Sequence, residues 1–319
     1  MKKILVMGAI GQIGSELTIE LRKQYGTDNV VASDIRTNPE SDINDGPFEI
    51  HDATNAQVTS EIVKKYNIDT IYNLPALLSA TAEKYPQKAF ELNLIGLYGT
   101  LEVARELSCA VFTPSTIGAF GDDTPKNGTP QDTIMRPKTM YGVTKVSGEL
   151  LCDYYNHKFG VDTRGVRFPG IISNKTLPGG GTTDYAVDIY YEAVRKGNYT
   201  CFVNAGTFLD MMYMPDAVKA SIDLMNANPE KLIHRNAFNI TAMSFDPEMQ
   251  AEEIRKHVPN FTLDYKIDEV KQAIANSWPN RMDDSVARAE WGWKPDITLE
   301  KMTEDMITVL TEKHKKGLI

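Results

Sequence analysis

Cysteine is scarce in this chain of 319 residues: Cys109, Cys152 and Cys201 are an odd number with no regular spacing. Such a set makes neither a disulfide framework nor a thiolate metal centre, and it points to a reducing compartment, the cytoplasm. Histidine is almost as sparse, and His51, His157, His234, His257 and His314 form no cluster, so no metal site is expected. Positive charge is in deficit: 34 Lys and Arg against 43 Asp and Glu give a net charge of -9. That balance argues against nucleic acid or an anionic membrane as the partner. Lys313-His314-Lys315-Lys316 reads as a short solvated tail. No run approaches the ~18 apolar residues that suggest a membrane span. Lys2-Lys3 lead at once into a short strand, not the longer apolar segment of a secretory leader.

What is present is ordinary globular composition, 42% hydrophobic and 24% charged, on a chain long enough for two domains or one domain with a large insertion. Ile4-Leu5-Val6-Met7 reads as a buried parallel strand, followed by a helical pattern through Ile13, Leu17, Leu21 and Tyr25. Further strands are expected at 29–33, 69–74, 109–114 and 163–168, with helices at 55–65, from Pro86 to about Leu107, and from Tyr141 to Phe159. Strands alternating with helices predict an α/β fold, a Rossmann-like doubly wound parallel sheet. The alternation breaks at Pro178-Gly179-Gly180-Gly181. The division expected is a dinucleotide-binding domain over 1–173 with a return segment at about 208–242. Residues 174–207 and 243–319 then make a smaller mixed α/β substrate lobe.

Two motifs carry chemistry. Gly8, Gly11 and Gly14 lie between the first strand and the first helix, where glycines permit a tight turn and close approach of backbone to a pyrophosphate. The helix N-terminus then offers free N–H groups and its positive dipole end. Asp34 ends the second strand, twenty residues after Gly14. Its carboxylate suits the adenosine ribose hydroxyls and repels a 2′-phosphate, which favours NAD over NADP, although Arg36 is a residue type that accommodates that phosphate. Asp52 is placed either to meet the adenine amino group or to cap the following helix. The second motif is Tyr141-Gly-Val-Thr-Lys145. Residues four apart share a helix face, and a lysine ammonium beside a phenol favours the phenolate, making a general acid/base.

Together these residues resemble the extended short-chain dehydrogenase/reductases. The resemblance implies Thr116, in Pro114-Ser-Thr-Ile-Gly118, as the catalytic hydroxyl, Tyr141 and Lys145 as the catalytic pair, and Asn93 as the active-site asparagine that holds a proton-relaying water. It also sets Gly8, Ala9, Ile10, Gly11, Gln12, Ile13, Asp34, Ile35, Arg36, Asp52, Ala53, Leu74, Ala76, Tyr141, Lys145 and Ile171 around NAD. Leu74-Pro75-Ala76 departs from the Ala-Gly pair more common in the superfamily.

The finer resemblance is to the L-threonine 3-dehydrogenases of this short-chain type. It rests on Phe168-Pro-Gly-Ile-Ile-Ser173, Gly181-Thr-Thr-Asp184, Met211-Met-Tyr-Met-Pro-Asp216, Ser277-Trp-Pro279 and Glu290-Trp-Gly-Trp293. It implies oxidation of the β-hydroxyl of L-threonine to 2-amino-3-oxobutanoate, with Ser79, Thr116, Tyr141 and Thr183 binding substrate, and Asp184 or a backbone carbonyl meeting the ammonium. A nucleotide-sugar epimerase or reductase on the same scaffold is the alternative enzyme, and a non-catalytic NAD-sensing regulator the alternative class. Trp278, Trp291, Trp293, Met211, Met212 and Met214 are assigned to cores, and Asp283-Asp284 to a turn or helix cap. Leu94, Leu97, Leu101, Leu150, Leu151 and Tyr154 are expected to form an outer apolar face, which in this family pairs two subunits in a four-helix homodimer interface; burial under the second lobe is the alternative.

Overall fold

The structure, a computed structural model, describes residues 1–37, 42–175, 177 and 179–319; Pro178, at the start of the expected break, lies outside them. The central sheet joins β1 (Ile4–Met7), β2 (Val30–Asp34), β3 (Phe48–Ile50), β4 (Thr70–Asn73), β5 (Ala110–Phe112) and a later strand, Thr163–Arg164. The order is that later strand, then β5, β4, β1, β2 and β3, and every pairing is parallel. Parallel strands need helical crossovers. These are α1 (Gln12–Tyr25), α2 (Ala56–Tyr66), then α3 (Ser79–Lys84), α4 (Pro86–Phe90) and α5 (Gly96–Leu107), and finally α6 (Met140–Phe159). Alternation along β1 explains the two layers. Ile4 and Val6 pack with Leu17 and Leu21 of α1 on one face. Leu5 and Met7 pack with Leu97, Leu101, Cys152 and Tyr155 of α5 and α6 on the other.

After β5 the chain forms β6 (Ser115–Thr116) and β7 (Asn127–Thr129). The expected strand at 163–168 divides at Gly165 into β8 (Thr163–Arg164), the sixth strand of the central sheet, and β9 (Val166–Phe168). β9 pairs in parallel with β6 and with a return strand. Beyond lie β10 (Gly170–Ile172), α7 (Tyr185–Lys196), β11 (Asn198–Cys201), β12 (Leu209–Tyr213), α8 (Met214–Asn226) and that return strand, β13 (Phe238–Asn239). The remainder is β14 (Met243–Phe245), α9 (Pro247–Arg255), β15 (Thr262–Tyr265), α10 (Glu269–Ser277), β16 (Arg281–Met282), α11 (Ser285–Trp291) and α12 (Leu299–Lys315). A third core, built on Tyr185, Tyr190, Leu209, Phe245, Trp278, Met306 and Leu310, holds this part together.

Two expectations are corrected. Leu97 and Leu101 are buried in the core beneath α5 instead of facing outward. The exposed apolar residues on α5, α6 and the π turn are Ile95, Tyr98, Val143, Leu150, Tyr154 and Phe159, while Leu94 and Leu151 are half-buried, Leu151 against the core. The helix from Pro86 to Leu107 is also not uniform: Glu91–Ile95 is a π turn between α4 and α5. α5 carries apolar side chains on both faces, and the one bearing Leu97 and Leu101 covers Leu5 and Met7 of the sheet, which leaves Ile95 and Tyr98 outward. Met211, Met212 and Met214 are buried, as are Trp293 and Trp278. Asp283 accepts a hydrogen bond from the Ser285 N–H (2.9 Å) at the start of α11, the turn role expected of the Asp283-Asp284 pair.

Candidate active site

The site forms at the carboxyl ends of the parallel strands, where an open α/β sheet leaves its crevice. The β1–α1 turn comes first. Gly8 has φ +73°, and a Cβ on Gly14 would lie 2.2 Å from the Gly8 carbonyl oxygen, so helix and turn pack at a distance that only glycine permits. α1 begins after Gly11 with no acidic side chain in its first turn, leaving its N–H groups and dipole free for an anion. Half-buried Asp34 accepts from the Ile10 N–H at 3.1 Å, which ties the end of β2 to the turn. Ala9 and Ala53 are buried; Ile35, Arg36 and Asp52 lie on the surface beyond the strand ends. Asp52 accepts from the N–H and hydroxyl of Thr54 (2.9 and 2.8 Å), and Asn55, not Asp52, caps α2. The Gln12 side-chain nitrogen is buried without a hydrogen-bond partner. That orphan donor, the glycine cradle and the Asp34 carboxylate fit a dinucleotide.

A cavity opens beside this turn. Its walls bring together Gln12, Ile13, Leu74, Ala76, Ser79, Thr116, Tyr141, Lys145, Ile171 and Thr183 of the expected set. Asn93 is not on that wall. It lines a smaller cavity behind Lys145, where its side chain takes the Leu77 N–H (2.8 Å) and donates to the Leu77 carbonyl (3.1 Å) and the Thr144 hydroxyl (3.2 Å). Sequence reasoning passed over three side chains. Thr182, buried beside the singled-out Thr183, has its hydroxyl 3.3 Å from that of Ser79. Trp278 belongs to a core, as expected, and also forms cavity wall: a Cβ on Gly118 would sit 3.4 Å from its ring and 3.3 Å from that of Tyr141. Glu149, one turn beyond Lys145, lines the smaller cavity; its spacing of four was the signal available.

Local structure fixes the placement of Tyr141 and Lys145. Thr139 caps α6 by accepting the Gly142 N–H (3.1 Å), so Tyr141 falls in the first turn and Lys145 directly below. The Lys145 ammonium donates to the Pro114 carbonyl (2.8 Å) and lies 5.8 Å from the centre of the Tyr141 ring. Burial pushes the phenol up to about 12, with the Thr116 hydroxyl working against that rise. Burial also pushes Lys145 down to about 8, opposed by the charge of Glu149. In this state desolvation outweighs the help expected from the lysine. Asp184 is the acidic member of the wall: burial raises it to about 6, against the pull of the Gly181 and Gly180 N–H groups it accepts at 2.7 and 2.9 Å.

The profile of the NAD dependent epimerase/dehydratase family matches residues 4–241. The chain belongs to that family. Among its members, an uncharacterised epimerase/dehydratase of Staphylococcus haemolyticus is 56% identical over 317 residues, 99% of each chain. The solved L-threonine dehydrogenase of Clostridium difficile shares 59% identity, with 98% of each chain covered and a TM-score of 0.96. A monomeric L-threonine 3-dehydrogenase of metagenomic origin shares 44%, covering 97% of this chain and 99% of its own, with a TM-score of 0.93. The family uses one fold for epimerases and dehydratases alike, so its membership gives the cofactor class and leaves the substrate to the cavity. Among the described residues no helix is long and apolar enough to cross a membrane, and no group of three or more His, Cys, Asp or Glu side chains converges.

Proposed function

We propose that this chain oxidises the β-hydroxyl of L-threonine with NAD, giving 2-amino-3-oxobutanoate and NADH. The observation that carries this reading is one cavity. It joins Thr116, Tyr141 and Lys145 to the hydroxyls of Ser79, Thr182 and Thr183 and to the wall of the glycine turn. Gly8 to Ile13, Asp34 and the strand-end residues would hold the cofactor, which when bound supplies the hydride acceptor. Thr116 donates to the substrate oxygen and orients it. Tyr141 takes the hydroxyl proton as general base. Lys145, held on the Pro114 carbonyl, keeps positive charge beneath the phenol. The Ser79, Thr182 and Thr183 hydroxyls suit a carboxylate, for which neutral donors suffice without a buried arginine. Asn93 positions the Leu77 backbone and leaves room behind Lys145 for a relaying water.

The same reading gives 1–173 plus about 208–242 as the cofactor domain and the remainder as the substrate lobe. Exposed Ile95, Tyr98, Leu150 and Tyr154 on α5, α6 and the π turn support a homodimer. The three cysteines are free and buried, which supports a reducing cytoplasmic setting.

The test is NADH formation with L-threonine and D-threonine, and chromatographic analysis of products from a UDP-sugar because epimerisation makes no net NADH, using wild type and Tyr141→Phe. L-Threonine alone should turn over, and Tyr141→Phe should lose ~10²–10⁴-fold in kcat while still binding NAD. Turnover of the UDP-sugar with silence on L-threonine would replace this substrate by a nucleotide sugar.

A further inference from the structure

A buried ion pair lies directly behind the catalytic pair, and none of the steps assigned to Thr116, Tyr141 and Lys145 uses it. Glu149 and Arg167 are each 4% exposed. The guanidinium grips the carboxylate with two bonds, 3.0 Å from Nε and 2.8 Å from Nη2. The Ser115 hydroxyl donates to the same carboxylate. The remaining amino group of Arg167, Nη1, reaches the Gln131 carbonyl and the Asn239 side chain at 2.9 and 3.0 Å. Burying such a pair gains little stability over apolar residues of the same size, because desolvation consumes the attraction. Its position is more informative. Lys145 and Glu149 are four apart on α6 and line the same small cavity, and Ser115 is the neighbour of Thr116.

We propose that Glu149 is a positioning residue of this site: its carboxylate, pinned by Arg167 and Ser115, keeps Lys145 charged and holds the Thr116 strand in register with Tyr141. The inference rests on Tyr141 and Lys145 acting as the catalytic pair. The groups facing Lys145 are few. Tyr141, Glu149 and Cys152 share its helix, Arg167 faces Glu149 from β9, and the other polar side chains lining the small cavity are uncharged. Burial discharges an ammonium, so a fixed anion one turn away is what preserves its charge near neutral pH.

Lys145 is titrated directly by NMR in protein carrying lysine labelled with ¹³C at Cε, its signal assigned by its loss in Lys145→Arg. Wild type is compared with Glu149→Gln and with the double variant Glu149→Gln, Arg167→Gln, which leaves no unpaired buried charge and so keeps the experiment available if the single variant does not fold. The Lys145 midpoint should fall by about one pH unit in the double variant, the lower end of what a nearby opposite charge contributes. It should fall further in the single variant, where Arg167 is left repelling it. The alkaline limb of kcat should move down with the midpoint. An unmoved midpoint in the double variant overturns the proposal. A midpoint that moves while the limb stays put leaves Glu149 as the charge-setting group and refutes instead the use of Lys145 in turnover.

Discussion

Replacing Asn93 by alanine tests the join between the Leu77 segment and the catalytic helix. The substitution removes three hydrogen bonds, two with the Leu77 backbone and one with Thr144. A net contribution of ~1 kcal/mol each gives a loss of about 3 kcal/mol, because the Leu77 N–H and carbonyl lose their partner along with the side chain. For a chain of 319 residues the entropy of unfolding is roughly 0.7 kcal/mol/K, so Tm should drop by about 4 °C. Asn93→Asp keeps the acceptor for the Leu77 N–H but loses both donors and sets a buried carboxyl against the Leu77 carbonyl, so its drop should be at least as large as that of Asn93→Ala. Leu78 and Ser79 follow Leu77 on the cavity wall, so the KM for L-threonine should rise in the alanine variant while that for NAD stays near wild type. Calorimetry with steady-state kinetics on the three proteins decides the matter. A Tm within ~1 °C of wild type in Asn93→Ala would refute the account of what this side chain holds.

Two further perturbations probe other parts of the molecule. Asp34→Ala should raise the KM for NAD and narrow its advantage over NADP, since the carboxylate suits ribose hydroxyls and repels a 2′-phosphate; an unchanged ratio from titrations of both cofactors would move the preference to Arg36. Asp210 is fully buried, takes the Met282 N–H (2.8 Å) and the Thr241 hydroxyl (2.5 Å), and burial lifts its carboxyl to about 7. Between its unfolded value of ~4 and about 7 the folded state holds a proton that the unfolded state has released, so this group makes stability fall as pH rises through that window. Asp210→Asn should flatten that slope in urea melts at about pH 4.5, 6 and 7.5, and a slope identical to wild type would mean that Asp210 stays ionised when folded.

The sheet was legible because its signals are local and redundant. Apolar runs such as Ile4–Met7, a glycine turn after the first, and helical spacing between strands all specify one topology. The Tyr141–Lys145 face followed from helix geometry alone. What sequence did not carry was long-range or depended on single turns of backbone. The pair of Glu149 with Arg167 joins a helix to a strand across the core and leaves no periodic trace. Thr182 and Thr183 are neighbours in an irregular segment, and only the backbone decides which hydroxyl reaches Ser79. Trp278 looked like packing because it does pack; that its ring also walls the cavity depends on Gly118 passing close by. Leu97 and Leu101 were assigned to the wrong side because both faces of α5 carry apolar residues, and only the sheet beneath decides which of them is covered.

The π turn at Glu91–Ile95 bears on how such a site arises and how relatives should be compared. A π ring closes over one more residue than an α ring, so the stretch from Pro86 to Leu107 is an ordinary helix carrying one extra residue. Deleting a residue there would let the helix close regularly, with the turns on either side keeping their faces while the side chains of the π turn itself shift by one place. Asn93 would then leave Leu77, and another side chain would take its place. A one-codon gap at this position in an alignment of relatives therefore marks a change of active-site architecture, not a harmless difference in length.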